Sequence, residues 1–191
     1  MGTNCLGPYL LTRLLLPQLR TAAKTAPKGS VRIIWTSSGI VDTNASVGGL
    51  DLTHLTTSPT DPNLNYANSK TGNWFLALEF SNRLKGEGIV SITQNPGNLA
   101  TKGWDSAPAA VKYIFKFINH PPILGAYTEL WCGLSDEVKL EDGGRYAIPW
   151  GRWHGRPRKD ILDAMKAKEE GGTGQSAAFL KWVEEQTKAF L

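Results

Sequence analysis

The chain has 191 residues, of which 41% are hydrophobic, and a formal net charge of +4 at pH 7. This length and composition fit one folded α/β domain with a sizeable core and exclude a chain that is disordered overall. Such a small net charge, without a nucleic-acid-binding motif, also argues against a nucleic acid as partner.

Cysteine and histidine are scattered along the sequence. Cys5 and Cys132 lie far apart, and the three histidines form no cluster. Neither residue type shows the spacing of a metal or redox site, so we expect no metal and reduced thiols, the default of a cytoplasmic protein. The leucine-rich stretch from Cys5 to Pro17 is interrupted by Arg13 and is too short for a membrane span.

The first predicted element is a helix that ends near Thr21. A strand at Val31–Thr36 follows, and then a polar loop from Ile40 to Asn63. The next helix runs through Tyr66 to Lys85 and is ended by Gly86.

The second half of the chain predicts two further strands. The first is Gly88–Thr93, and the last is Arg145–Ile148. Between them lie the aromatic-rich segment Trp104–Asn119, for which a packed helix is one interpretation, and a helix that Pro121 and Pro122 open and that runs to Leu134.

Two segments follow the last strand. Trp150–Lys159 is basic and interleaved with tryptophan, a pattern that suggests nucleic-acid binding, but the small net charge favours an ordinary tail. The final segment, Ala177–Leu191, predicts an exposed amphipathic helix with partly buried Phe179, Trp182 and Phe190.

Tyr66 and Lys70 are the first candidate functional residues. Their four-residue spacing places them on one face of a helix. A cation held close to a buried phenol favours the phenolate form, which makes Tyr66 a candidate proton donor and acceptor. The same spacing also occurs on solvated helix faces, so the pair alone leaves both interpretations open.

Polar residues also follow two predicted strands. Ser37 and Ser38 end the strand at Val31–Thr36, and the turn Asn95–Thr101 follows the next one. Ligands bind at the carboxyl ends of parallel strands, although such residues also serve ordinary turns. Near the amino terminus, Asn4 is a candidate helix N-cap.

Taken together, these segments resemble the short-chain dehydrogenase/reductase family, in particular its retinol-dehydrogenase-like and fungal branches. The resemblance covers about the first 150 residues and depends on four motifs in a fixed order. It implies an oxidoreductase that transfers hydride between NAD or NADP and an alcohol or ketone. It also implies a Rossmann-type sheet, of which three parallel strands are expected here, with two helices on one face and one on the other. The segment Trp104–Asn119 would cover the substrate.

The resemblance implies Tyr66 as the catalytic acid/base and Ser38 as the hydrogen-bond partner of the substrate oxygen. Ser38 is preferred to Ser37 because the family's active serine usually follows another small residue. Lys70 would support Tyr66 and hold the nicotinamide ribose. Asn4 would order a water that links the lysine to solvent, unless its side chain merely caps the helix.

The resemblance also implies which residues contact the cofactor. Leu99 and Thr101, after the Pro-Gly turn, would touch the nicotinamide carboxamide. With Tyr66 and Lys70 they form the expected cofactor-binding set.

The sequence departs from the family at its phosphate-binding turn. No Gly-x-x-x-Gly-x-Gly or Gly-x-Gly-x-x-Gly opens a helix, and Gly171, Gly172 and Gly174 fit a polar linker. We therefore expect one partial Rossmann-type domain, with core 1–149 and tail 150–191, that lacks the amino-terminal nucleotide-binding half.

Two consequences follow from this expected truncation. A chain that cannot hold the cofactor would be a non-catalytic fragment with at most a partner-binding role. The first strand would also have an open edge, from which we expect poor solubility unless a second copy covers it. Because members of the family often form dimers, the resemblance implies a homodimer.

Overall fold

The computed structural model describes residues 1–102, 113 and 115–191. Within these ranges the strands are β1 (Val31–Thr36), β2 (Ile89–Gln94), β3 (Tyr146–Ile148) and β4 (Arg152–Trp153). The α-helices are α1 (Gly7–Ala23), α2 (Ile40–Asn44), α3 (Pro62–Leu84), α4 (Pro122–Leu134), α5 (Lys159–Met165) and α6 (Gln175–Thr187). Most of the aromatic-rich segment predicted at Trp104–Asn119 lies outside the described residues.

The sheet has the order β1-β2-β3-β4. The first three strands are parallel, as predicted, and β4 is antiparallel to β3. The prediction that the sheet ends with β3 is wrong. Trp150 and Gly151 have φ angles of 73° and 60°, and this left-handed turn reverses the chain so that two further residues pair with β3.

Helices cover both faces of the sheet. On one face, α1 and α3 share a hydrophobic core with Trp35 of β1 and Ile89 of β2. On the other, Val90 and Ile92 form a second core with Cys132 of α4. Because successive strand residues point to opposite faces, the apolar run of β2 serves both cores. The predicted α/β fold, with two helices on one face and one on the other, is confirmed.

The carboxyl-terminal helix α6 packs against α3. Phe179 is fully buried, and its ring centroid lies 6.2 Å from that of Phe75. The prediction of an exposed helix with a partly buried Phe179 is therefore wrong, and Phe190, which is 69% exposed, is not buried. Trp182 is partly buried, as predicted.

Gly72 lies where three segments meet. A Cβ atom at this position would be 2.8 Å from the Sγ atom of Cys5 and 2.8 Å from the Cζ atom of Phe179. Real Cβ contacts are rarely this short, so only glycine lets the amino-terminal turn and α6 approach α3 this closely. The glycine thereby fixes the turn that carries Asn4 against the helix that carries Tyr66.

The segment from Ile40 to Asn63, predicted as a loop, contains two short helical pieces. These are α2 and a 3-10 turn at Leu52–Leu55. Asp51 caps that turn by accepting a hydrogen bond from the backbone N–H of Thr53 at 2.9 Å.

Arg32 ties the edge strand β1 to the end of α4. Its guanidinium donates hydrogen bonds to the carbonyl oxygens of Cys132 (3.0 Å), Ser135 (2.9 Å) and Val138 (3.0 Å). These carbonyls lie at or just beyond the carboxyl end of α4, where backbone acceptors lack helical partners. Among the described residues, β1 pairs on one side only, with β2.

No α-helix within the described ranges is long and apolar enough to cross a membrane.

Candidate active site

A cavity of about 1150 Å³ lies at the carboxyl ends of β1 and β2. Its walls come from the end of β1, from α2 and α3, and from the turn after β2. The residues that line it are Thr36, Ser37, Ser38, Gly39, Ile40, Thr43, Asn44, Asn63, Tyr66, Lys70, Asn95, Pro96, Gly97, Asn98, Leu99, Thr101, Phe115, Ile118, His120, Leu124, Pro149 and Trp150.

Tyr66 and Lys70 both face this cavity from α3. The Nζ atom of Lys70 lies 5.6 Å from the centroid of the Tyr66 ring. Tyr66 is 42% exposed, so the expectation of a buried phenol is wrong. Its exposure arises because the ring lies on the wall of an open cavity, where a small molecule can reach it.

Lys70 is held against the end of β1. Its Nζ atom donates a hydrogen bond to the carbonyl oxygen of Thr36 at 3.1 Å, and Asn73 donates to the same oxygen at 2.8 Å. Burial lowers the pKa of Lys70 below its ordinary value, while the nearby Cys5 thiol opposes that shift.

The two serines after β1 have different partners. The hydroxyl of Ser37 is buried and donates to the carbonyl oxygen of Lys70 at 2.9 Å. The hydroxyl of Ser38 accepts one long contact, 3.5 Å from the backbone nitrogen of Ile40. Ser37 therefore joins the end of β1 to α3, whereas the hydroxyl hydrogen of Ser38 has no acceptor among the described residues.

Asn4 lies behind Tyr66 rather than on the cavity wall. Its Nδ2 atom donates to the Oγ atom of Ser69 at 2.8 Å, and that hydroxyl donates to the carbonyl oxygen of Tyr66 at 2.7 Å. The alternative that Asn4 caps a helix is wrong, because it lies inside a π-helical turn, Gly2–Leu6, whose N-cap is Met1. Asn4 joins that turn to the backbone of the helix that carries Tyr66.

The turn after β2 brings Leu99 and Thr101 to the cavity. Gly97 has a φ angle of 90°, and its backbone N–H donates to the Oδ1 atom of Asn95 at 2.9 Å. Leu99 pairs with His120 in an isolated bridge. The turn is therefore fixed at both ends.

One polar group beside the cavity was not predicted from the sequence. Gln94 donates from Nε2 to Glu129 at 2.5 Å and to the hydroxyl of Thr36 at 3.3 Å. Burial raises the pKa of the Glu129 carboxyl above its ordinary value, although the hydrogen bond from Gln94 opposes that shift. No sequence signal indicates this contact, because Gln94 and Glu129 come from separate elements.

The apolar wall of the site was predicted in part: Ile118 lies in the segment Trp104–Asn119, which the resemblance implies as a cover over the substrate, whereas Leu124 and Trp150 were not predicted. It includes Ile118, Leu124 and Trp150, and the Trp150 ring lies 5.3 Å from that of His120 in an edge arrangement. The left-handed backbone of Trp150 turns this residue to the cavity side. Its position two residues after the predicted strand Arg145–Ile148 was the available signal.

No protein-family model matches the chain. A curated short-chain dehydrogenase/reductase of Phomopsis amygdali is 42% identical over 197 aligned residues, which cover 100% of this chain and 58% of that protein. A second, from Pestalotiopsis fici, is 41% identical and is covered over 56% of its length by 98% of this chain. The chain thus spans little more than half the length of these curated relatives.

Solved structures share the fold. That of an uncharacterized protein from Mycobacterium paratuberculosis has a TM-score of 0.63 at 24% identity, over 98% of this chain and 57% of that one. An NADPH-bound carbonyl reductase from chicken fatty liver has a TM-score of 0.54 at 19% identity, over 80% of this chain and 54% of that one. At these identities the likeness establishes the fold alone.

Proposed function

The chain belongs to the short-chain dehydrogenase/reductase family, and on that premise we propose that it is an NAD(P)-dependent oxidoreductase acting on an alcohol or ketone. The observation that carries this proposal is the convergence of Ser38, Tyr66 and Lys70 on one cavity at the carboxyl ends of parallel strands. Such a position is where ligands bind in open α/β sheets.

The residues present fit the nicotinamide half of the cofactor. Two hydroxyls and one ammonium, from Ser38, Tyr66 and Lys70, face the cavity, and Leu99 and Thr101 line it. Lys70 uses one ammonium hydrogen on Thr36, which leaves two for ribose hydroxyls. The sequence has no glycine-rich turn for the pyrophosphate, so the fit covers one half of the cofactor.

The chemistry of the proposal divides between cofactor and protein. The bound nicotinamide supplies or accepts hydride. Tyr66 donates a proton to the substrate oxygen in reduction, and its phenolate accepts that proton in oxidation. Ser38 donates a hydrogen bond to the same oxygen, on which negative charge develops. Lys70 keeps a positive charge beside the Tyr66 ring.

The cavity wall supports an apolar substrate. Ile118, Leu124 and Trp150 present hydrocarbon and aromatic surface to the space in front of Tyr66 and Ser38. Burying apolar surface of a ligand there is favourable by about 25 cal/mol per Å². We propose a lipophilic carbonyl compound or alcohol as the substrate.

Titration of the purified chain with NADH and NADPH tests the proposal. Binding should change nicotinamide fluorescence, and it should weaken in Lys70→Met, which keeps the length of the side chain but loses its charge and donors. The matched control is Lys181→Met, on the exposed side of α6. Absence of binding at millimolar concentrations of both cofactors would contradict the enzyme proposal for this chain.

A second candidate function is a non-catalytic fragment that retains the site residues but binds no cofactor. In residues 1–191 taken by themselves, the cofactor's two phosphates would lack the backbone N–H donors of a glycine-rich turn. The same titration separates the two functions.

We further propose a cytoplasmic location and a homodimer. Both cysteines are free, which fits a reducing compartment.

Leu11, Leu14 and Leu15 on α1 are 60%, 54% and 45% exposed and form an apolar surface that a second copy could cover. Light scattering coupled to size-exclusion chromatography measures the mass, and a monomer at all concentrations would contradict the dimer.

A further inference from the structure

The loop from Ser38 to Gly48 forms one wall of the cavity, and most of its anchors come from the segment after β3. That loop contains α2 and begins with the proposed catalytic serine. The segment after β3 includes the basic, tryptophan-containing stretch Trp150–Lys159, of which the proposed function uses only Trp150.

Tyr146 of β3 holds the start of the loop. Its hydroxyl donates a hydrogen bond to the carbonyl oxygen of Ser38 at 2.9 Å, and its ring centroid lies 4.8 Å from that of Trp74. Burial raises the pKa of Tyr146 well above its ordinary value, so the hydroxyl keeps its hydrogen at neutral pH. The contact fixes the backbone of the residue whose side chain faces the cavity.

His154 holds the middle of the loop. Its Nε2 atom lies 2.9 Å from the Oδ2 atom of Asp42 in α2, and its Nδ1 atom accepts from the backbone N–H of Arg156 at 3.2 Å. With Nδ1 as acceptor, a neutral imidazole carries its hydrogen on Nε2 and donates it to the carboxylate. His154 therefore ties α2 to the chain just beyond β4.

Arg158 holds the end of the loop. Its guanidinium donates to the carbonyl oxygens of Val41 (3.3 Å), Ala45 (2.9 Å) and Ser46 (3.0 Å). It also pairs with Asp160 at 2.6 Å, and that carboxylate accepts from the backbone N–H of Gly48 at 2.8 Å. One planar cation thus satisfies several backbone acceptors around the carboxyl end of α2.

We propose that Tyr146, His154 and Arg158 are positioning residues, which fix the loop Ser38–Gly48 and thereby hold the Ser38 hydroxyl in the cavity. The proposal rests on the proposed function, because it takes Ser38 as the partner of the substrate oxygen. It also gives a use to part of the basic segment, since Arg158 points its charge at backbone carbonyls rather than at a polyanion.

Hydrogen exchange of backbone amides tests the positioning without any cofactor. Tyr146→Phe removes one hydroxyl and keeps the ring, and Arg158→Ala removes the contacts to three carbonyls. In each variant, amides of residues 39–48 should exchange roughly fivefold to tenfold faster, while those of β2 stay unchanged. The matched control is Tyr9→Phe, whose ring is fully buried against Phe80 and far along the chain from the loop.

Two results would overturn the positioning role. One is unchanged exchange in residues 39–48, which means that the contacts do not hold the loop. The other is equally faster exchange in β2, which means that the variants lower the stability of the whole domain. Both results can be read whether or not the chain binds a cofactor.

A double-mutant cycle tests the link to Ser38 once turnover is measurable. Tyr146→Phe should lower kcat about tenfold and leave the KM for the cofactor unchanged, because the contact acts on the serine. In the Ser38→Ala background the same change should have no further effect on kcat. Equal losses in both backgrounds would overturn the proposal, whereas absent turnover would count against the proposed function and leave the exchange result to decide the positioning.

Discussion

The ammonium group of Lys70 lies 5.6 Å from the centroid of the Tyr66 ring and is fixed there by the carbonyl oxygen of Thr36, 3.1 Å away. A strand end therefore sets the position of a cation on a neighbouring helix. Asn73 donates to the same oxygen, and the hydroxyl of Ser37 donates to the carbonyl oxygen of Lys70, so three hydrogen bonds join the end of β1 to α3 at this point. The distance between the Tyr66 ring and the Lys70 ammonium is therefore set by the contacts between the end of β1 and α3.

Tyr66→Phe should abolish turnover and leave cofactor binding largely intact. The phenyl ring keeps the shape of the cavity wall but has no proton to give, and general acid catalysis typically contributes about 100-fold to 10,000-fold to a rate. Steady-state kinetics and fluorescence titration of the same samples measure both quantities. Tyr127→Phe, which changes an exposed tyrosine on α4, serves as the control, and turnover retained in Tyr66→Phe would refute the proton-donor role.

Ser69→Ala should lower the free energy of unfolding by about 1 to 2 kcal/mol. The change removes the acceptor of the Asn4 amide and the donor to the carbonyl oxygen of Tyr66. Urea denaturation measures the loss. Ser30→Ala, which removes a hydroxyl bonded in an exposed turn, should cost less, and an equal cost would show that the chain of bonds through Ser69 adds nothing.

Gly72→Ala should lower the free energy of unfolding by about 1 to 3 kcal/mol, as overpacking of a core typically does. The new methyl group would overlap Cys5 and Phe179, so the amino-terminal turn or α6 must move away from α3. Thermal unfolding measures the effect. Gly86→Ala is the control, because a Cβ atom there meets nothing within 4 Å, and similar stabilities of the two variants would contradict the tight packing.

The two thiols should make the protein less stable at alkaline pH. Burial raises the pKa of Cys5 and of Cys132 to about 12, whereas an unfolded cysteine titrates near about 8.5. Between these values the unfolded chain loses thiol protons that the folded chain keeps. The free energy of unfolding therefore falls with rising pH, by up to about 1.4 kcal/mol per pH unit and thiol.

Urea denaturation between pH 7 and pH 10 measures this slope. The double variant Cys5→Ala, Cys132→Ala should be less stable at pH 7 because it leaves cavities, but its stability should depend less steeply on pH. The same steepness in both proteins would contradict the burial of the thiols.

The chain should associate at high concentration. Among the described residues β1 has a partner on one side only, and leucines of α1 are exposed beside it. Sedimentation velocity over a range of concentrations measures the association. Leu14→Lys should reduce it more than Leu191→Lys, which changes an equally exposed leucine at the end of the chain, and a concentration-independent monomer would contradict the expectation.

Local sequence signals predict much of the fold. The strand at Val31–Thr36 and the helix that ends at Leu134 have the predicted bounds, because an apolar run and a pair of prolines mark them. The strand β4 has no such signal, since its two residues pair only after the left-handed turn at Trp150. The burial of Phe179 depends on the space that Gly72 leaves, more than a hundred residues earlier in the chain.

The sequence predicts the candidate site in part. Motif order brings Ser38, Tyr66 and Lys70 into one prediction, and all three line the same cavity. The contact of Asn4 with Ser69 could not be predicted, because it depends on how the amino-terminal turn docks on α3. The contacts that hold the Ser38 loop could not be predicted either, because Arg158 binds carbonyl oxygens that lie more than a hundred residues earlier in the chain.

Arg32 has a consequence for protein engineering. Its guanidinium hydrogen-bonds the carbonyl oxygens at the end of α4. The residues on either side of it in β1, Val31 and Ile33, point to the opposite face of the sheet. A designer who grafts an additional strand beside β1 should therefore retain this arginine and choose a pairing in which it still points toward α4. A lysine at this position would lack the planar fork of donors, so it could not hold the end of α4 to β1 in the same way.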